Sequence, residues 1–259
     1  MATPRITALA AVAAIAVLSG ARVARAVDPF EIQVYDGTAN DPRQAGLELH
    51  LNTVAKGLRE SVPPEAPTHH QTHATFESSY GLTKNVELGG YLQTALLADG
   101  TFAYAGAKLR TKIVTSPTFH EHVRLGVNLE LARIPERFEI NRWDTEIRPI
   151  AAWEDDDWLF AFNPILSIAL AGKDAGSPSF EPALAAYKKV RDVFSFGLEY
   201  YGTIGKPYNP SPRRDQLHYI YGVGNLLAFD DWELNVGVGG GLTDASNGLV
   251  MKAIVGHVF

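Results

Sequence analysis

The chain has no cysteine, which excludes a disulfide framework and any thiolate metal site. It has no long apolar run beyond its N-terminal segment, and this argues against a helical membrane protein. It is also short of positive charge, with 23 Lys and Arg against 29 Asp and Glu, so an extended nucleic-acid surface is not expected. What remains is a chain of ordinary mean hydropathy, −0.05, whose 259 residues suit one large all-β domain or two small ones.

The one long apolar run has the three parts of an export signal. Arg5 lies in a short basic head, Ala8 to Leu18 form an apolar core, and Ala24-Arg25-Ala26 is a small-x-small cleavage motif. The core is too short to span about 30 Å of hydrocarbon comfortably, which disfavours a retained anchor. Residues 1–26 are therefore expected to be a signal peptide. Their removal takes away three arginines and no acids, leaving 20 basic against 29 acidic side chains and a formal charge of −9. Residues 27–44, ending in the turn residues Asn40-Asp41-Pro42, read as a periplasmic lead-in or a plug-like segment.

From residue 45 to 259 the pattern is regular. Alternating runs of roughly ten residues are separated by turn residues, as strands that cross a membrane require. The clearest sets Val123, Leu125, Val127, Leu129 and Leu131 against Arg124, Gly126, Asn128 and Glu130. Another sets Ala103, Ala105, Ala107, Leu109 and Ile113 against Tyr104, Lys108, Arg110 and Lys112. The run from Ser179 to Lys189 is the weakest, because Pro182 lacks the N–H that a ladder needs. About twelve runs result, an even number.

The last run, LVMKAIVGHVF, places Leu249, Met251, Ala253 and Val255 on one face and Lys252 and Gly256 on the other, and stops at Phe259. It resembles the closing strand of bacterial outer-membrane β-barrel proteins, whose C-terminal Phe and alternating apolar residues are read by the barrel assembly machinery. His257 departs from that pattern, since the family usually has Tyr or another hydrophobe there. The resemblance extends over nearly all of the mature chain and is to the small channel and transporter type, and more narrowly to barrels linked to aromatic-compound degradation. It implies a closed antiparallel transmembrane β-barrel of about 12 strands in the outer membrane of a Gram-negative cell. It also implies outer-membrane lipid and a small-molecule solute as partners, and no cofactor. With Phe259 in the periplasm, the short turns fall on the periplasmic side and the longer loops, Ser61 to His70 and Pro207 to Arg214, on the other. Tyr80, Trp153, Trp158, Phe194, Trp232 and Phe259 then align at the periplasmic strand ends as an interfacial girdle. A soluble barrel of this size would struggle to fill its core, whereas a soluble β-sandwich stays open as an alternative.

Charged residues of the polar face make up the candidate site. Lys108, Arg110, Lys112, Arg124, Glu130, Arg142, Asp144, Glu146 and Arg148 fall on neighbouring runs, with Glu199 and Glu233, and Glu48, Glu77 and Glu87, facing them as an acidic wall. Two readings stay open: a constriction that selects solutes by charge, and a ladder of cross-strand ion pairs that stiffens the barrel. Gly237, Gly239 and Gly241 either leave room for a solute or relieve crowding. No metal site is expected: His69, His70 and His73 fit a solvated loop better than a metal centre, and Asp155 to Asp157 a polar turn better than a calcium loop. A lipid-modifying enzyme on the outer face is the alternative function, but His50 and His73 are predicted inward and Ser78 has no evident partner, so no catalytic residues are implied. A non-conducting structural barrel is the third.

Overall fold

A computed structural model describes residues 28–61, 63–116, 119–172, 174–191, 193–229 and 231–259. The expected signal peptide lies outside them. The strands run in chain order as β1 (Ala45–Lys56), β2 (Thr72–Thr83), β3 (Val86–Leu96), β4 (Phe102–Val114), β5 (Val123–Arg133), β6 (Trp143–Glu154), β7 (Trp158–Ala169), β8 (Pro178–Val190), β9 (Phe194–Thr203), β10 (Gly205–Lys206), β11 (Asn209–Pro210), β12 (Leu217–Leu226), β13 (Trp232–Gly241) and β14 (Leu249–Val258). β10 and β11 are a two-residue hairpin in one loop. The other twelve pair antiparallel with their neighbours, and β14 closes on β1 from Gly46↔Val258 to Lys56↔Leu249, so no edge is left exposed.

Sequence alternation sets which face points where. Leu47, Leu51, Phe76, Leu92, Leu129 and Phe162 are exposed on the outside, while His50, Glu77, Gln93, Glu130 and Asn163 are buried within. This is an inside-out arrangement, suited to a surrounding solvent that is itself apolar. Tyr80, Trp153, Trp158, Phe194, Trp232 and Phe259 all face out at the end of the barrel that carries the short turns. At that end Asp155 accepts the backbone N–H groups of Asp157 (2.8 Å) and Trp158 (2.7 Å), which hold its carboxyl below the usual range. The long loops, 57–71 and 204–216, lie at the opposite end. An arginine at Leu129, midway along β5, would face the apolar surroundings; Leu129→Arg is expected to lower stability by about 2–4 kcal/mol, read from the urea midpoint in lipid.

Two departures from strict alternation have local causes. Gly106, at φ +139°, opens a bulge at which Gln93 pairs with Gly106 and the next residue, Thr94, pairs with Tyr104. One extra residue reverses the faces beyond it. Tyr104 consequently points outward and Ala105 is fully buried, the opposite of the sequence expectation. In β8, Pro182 lies opposite Pro164 of β7, and the β6–β7 ladder skips residues 148–150 and 163–165, where Pro149 and Pro164 have no N–H to give. β8 forms despite its prolines because its register with β7 runs unbroken from Trp158↔Lys188 to Ile168↔Pro178.

Candidate functional site

The lumen is filled not by strand side chains alone but by residues 28–41, which run inside the barrel before β1. Phe30, Glu31, Ile32 and Tyr35 are buried there. Phe30 packs on His73 at 4.6 Å and edge-on to Phe138 at 5.6 Å, at the long-loop end. Towards the short-turn end Asn40 donates its backbone N–H to Glu87 Oε2 at 2.6 Å and its amide to Ser79 Oγ at 2.8 Å. The segment is extended and has no sheet partner, so the strands' inward side chains supply its hydrogen bonds. Asn163 grips both backbone groups of Tyr35, accepting its N–H at 2.8 Å and donating to its carbonyl at 2.9 Å. Lys252 Nζ donates to the Ile32 carbonyl at 2.9 Å and Asn52 to the Pro29 carbonyl at 3.0 Å.

Glu31 is the electrostatic centre. Its carboxylate meets Lys108 Nζ at 3.1 Å, lies 3.6 Å from Arg148 Nη1, and accepts the Tyr35 hydroxyl at 2.8 Å. Tyr35 shares a 2.7 Å hydrogen bond with the Tyr91 hydroxyl and lies under the Arg148 guanidinium, 4.4 Å from its ring centroid. Lys108 is also 2.5 Å from Asp28 and 3.0 Å from Glu130.

Most of the sequence-derived residues converge here. Arg110 bridges Glu77 (2.6 Å) and Glu87 (2.7 Å), which Lys112 also reaches at 3.0 Å. Arg148 donates to Glu146 at 2.6 Å, and Ser167 donates to Asp144 at 2.8 Å. Arg124 pairs with Glu154 and with Asp36 of the inner segment. Glu130 and Glu146 are directly opposed in register, and Lys108 and Arg148 offset their repulsion. Glu77 and Glu87 adjoin Arg110, so on this side acids and bases interleave instead of forming two walls.

Arg142 does not belong to this set. It precedes β6 in the loop, exposed, and pairs with Glu136 at 2.8 Å. The alternation that placed it inward ends at Trp143, one residue later. Glu199 is inward as expected, but its cation is Lys252 at 2.5 Å, and Tyr187 and Tyr201 also donate to it. Lys252, Glu31, Tyr35 and Asn163 were absent from the sequence-derived set. The polar face of the terminal run did hold Lys252, but no local signal marked the others. At two of the three glycines a side chain would crowd the wall: a Cβ on Gly239 would fall 2.4 Å from the Tyr221 ring, and one on Gly237 would fall 3.0 Å from Val223.

Below the inner segment, at the short-turn end, lies a cavity of about 610 Å³ bounded above by Gln33 to Asp36 and at the rim by Phe229 and Asp231. Eight carboxylates line it against Arg110, Lys112 and Lys189. On the other side a small pocket holds Asp28, Glu31, Glu146 and Glu181 against Arg148 alone. Among the described residues on the outer face, Ser78 donates to the Gly90 carbonyl at 3.3 Å. The outward His218 ring meets the Tyr200 hydroxyl at 2.7 Å and the Gln216 side-chain Oε1 at 3.0 Å.

The fold is shared with bacterial outer-membrane channels. An outer membrane channel from Pseudomonas putida F1 superposes with a TM-score of 0.60 at 12% identity, over 88% of this chain and 100% of that one. The KdgM porin matches with a TM-score of 0.55 at 9% identity, over 83% and 99% of the two chains. The NanC porin matches with a TM-score of 0.53, also at 9% identity, over 83% and 98%. No family model and no curated protein matches the sequence.

Proposed function

We propose that this is an outer-membrane channel for a small solute, exported by a signal peptide cleaved after Ala26 and inserted by the barrel assembly machinery. In this reading residues 28–41 restrict its lumen. The observation that carries it is the chemistry of the inner segment's attachment. Apart from Phe30, Ile32 and Val34, which pack on apolar neighbours, the segment is held by ion pairs and hydrogen bonds, each of which water can replace, unlike a dry apolar core. Restriction of this kind is reversible without unfolding the wall. That the superposed solved structures are outer-membrane channels supports the same assignment.

The lumen charge points to the class of solute. Carboxylates outnumber bases in the cavity and in the pocket above the segment, so both approaches concentrate cations. With Phe259 at the periplasmic side, the large cavity is the periplasmic vestibule. Single-channel recording in a planar bilayer under a salt gradient tests this reading. The expected result is discrete steps with a reversal potential of cation-selective sign, moving toward zero as salt screens the carboxylates. Anion-selective steps would overturn the charge assignment.

A further inference from the structure

Glu48 and Glu77, which line the large cavity from adjacent strands, come together with His50. His50 is wholly buried on β1, and Glu77 of β2, also buried, lies directly across from Glu48 in register. Their ligand atoms all fall within 4.8 Å of one another. His50 Nε2 is 3.1 Å from Glu77 Oε2 and 3.4 Å from Glu48 Oε2. Those separations match the roughly 3.3 Å edge of a tetrahedron whose bonds to a central zinc ion are about 2.0–2.1 Å long.

The surroundings fit a cation better than they fit the bare side chains. Two carboxylates directly opposed on neighbouring strands repel. Arg110 engages Glu77 Oε1, through Nε at 2.8 Å and Nη2 at 2.6 Å, which orients Glu77 and leaves Oε2 turned to His50. Glu48 Oε2 is buried and, among the described residues, has no hydrogen-bond partner closer than His50 Nε2 at 3.4 Å. A third carboxylate, Glu233 of β13, stands across Gly256 from Glu48, both being opposite that glycine in register. A side chain at Gly256 would collide with Glu48, its Cβ 2.8 Å from Glu48 Cγ, so glycine there keeps the space beside the carboxylate clear.

We propose that Glu48, His50 and Glu77 bind a divalent transition-metal ion of the zinc class, reached from the cavity past Glu48 and Glu233. One imidazole and two carboxylates suit Zn²⁺ and its first-row neighbours, and leave a coordination position for water or a solute group. Binding displaces the proton shared between His50 and Glu77. The site stands whether or not the barrel conducts.

Calorimetric titration of the folded mature protein in detergent with Zn²⁺ alone, and with Co²⁺ followed by visible absorption, tests it. One ion per chain is expected, with a tetrahedral or five-coordinate cobalt spectrum. His50→Gln should abolish that binding, and Glu48→Gln should weaken it by about tenfold or more. His69→Ala/His70→Ala, in the exposed loop, should leave it unchanged. Heat-modifiable gel migration identifies folded variants; should His50→Gln fail to fold, Glu48→Gln at the cavity edge carries the test. Absence of binding to the wild type, or equal affinity in wild type and Glu48→Gln, would overturn the proposal.

Discussion

A chain lacking residues 28–40 is expected to conduct in steps several-fold larger than the intact protein under the same salt and voltage. The segment occupies the lumen at its charged belt, and its removal takes out Phe30, Glu31 and Tyr35 together with the backbone they carry. The wall that remains is a closed ring of twelve ladders, of which β1–β14 is complete from Gly46 onward, so the barrel does not depend on the segment for closure. Lys108 loses Asp28 and Glu31, and Arg148 loses Glu31, but they keep Glu130 and Glu146 at 3.0 and 2.6 Å, and water entering the lumen solvates what remains. Cation preference should fall at the same time, because Asp28, Glu31 and Asp36 leave with the segment and no basic residue does. The measurement is step size and reversal potential of the two proteins side by side. Equal steps would mean that ions follow a route the segment does not obstruct. Silence from both would sink the channel assignment and favour a structural barrel.

The second large effect is on stability. Lys252→Met is expected to lower the unfolding free energy by about 3 kcal/mol, toward the lower end of the range for breaking a buried pair. Lys252 and Glu199 are both fully buried and 2.5 Å apart, and the ammonium also holds the Ile32 carbonyl. Replacing only the lysine leaves a carboxylate stranded inside the wall, with Tyr187 and Tyr201 still donating to it and softening the loss. The double variant Lys252→Met/Glu199→Met should recover most of the loss, because no unpaired charge then remains. Urea midpoints in the same lipid, at unchanged slope, measure both. A single variant as stable as the parent would show that water reaches Glu199.

Both effects turn on residues of different legibility. The inward placement of Lys108, Arg110, Glu130, Arg148 and Glu199 followed from period-two alternation, because each has an apolar neighbour that must face the other way. Arg142 fails the same test only because it lies one residue before its strand begins, where alternation no longer constrains a side chain. Tyr104 fails because a single glycine, Gly106, shifts the count by one. Neither a strand's first residue nor a bulge is marked in composition.

The sequence by itself, through its resemblance to outer-membrane barrels, implied the closed ring, and it determined about twelve alternating runs, the aromatic residue that closes the last, which face is charged, and which end carries the long loops. These follow from local periodicity and turn chemistry, repeated along the chain. Only the tertiary structure decided what the lumen contains. Residues 28–41 form no ladder, and although Phe30, Ile32 and Val34 alternate with polar neighbours, their place is set by distant side chains, Asn163, Lys252 and Arg148 among them, that meet only when the ring closes. The register of the neighbouring strands β1 and β2 brings Glu48, His50 and Glu77 to one point, and closure sets Glu199 against Lys252. Pairings across a closed wall depend on register and curvature, which no stretch of the chain encodes alone.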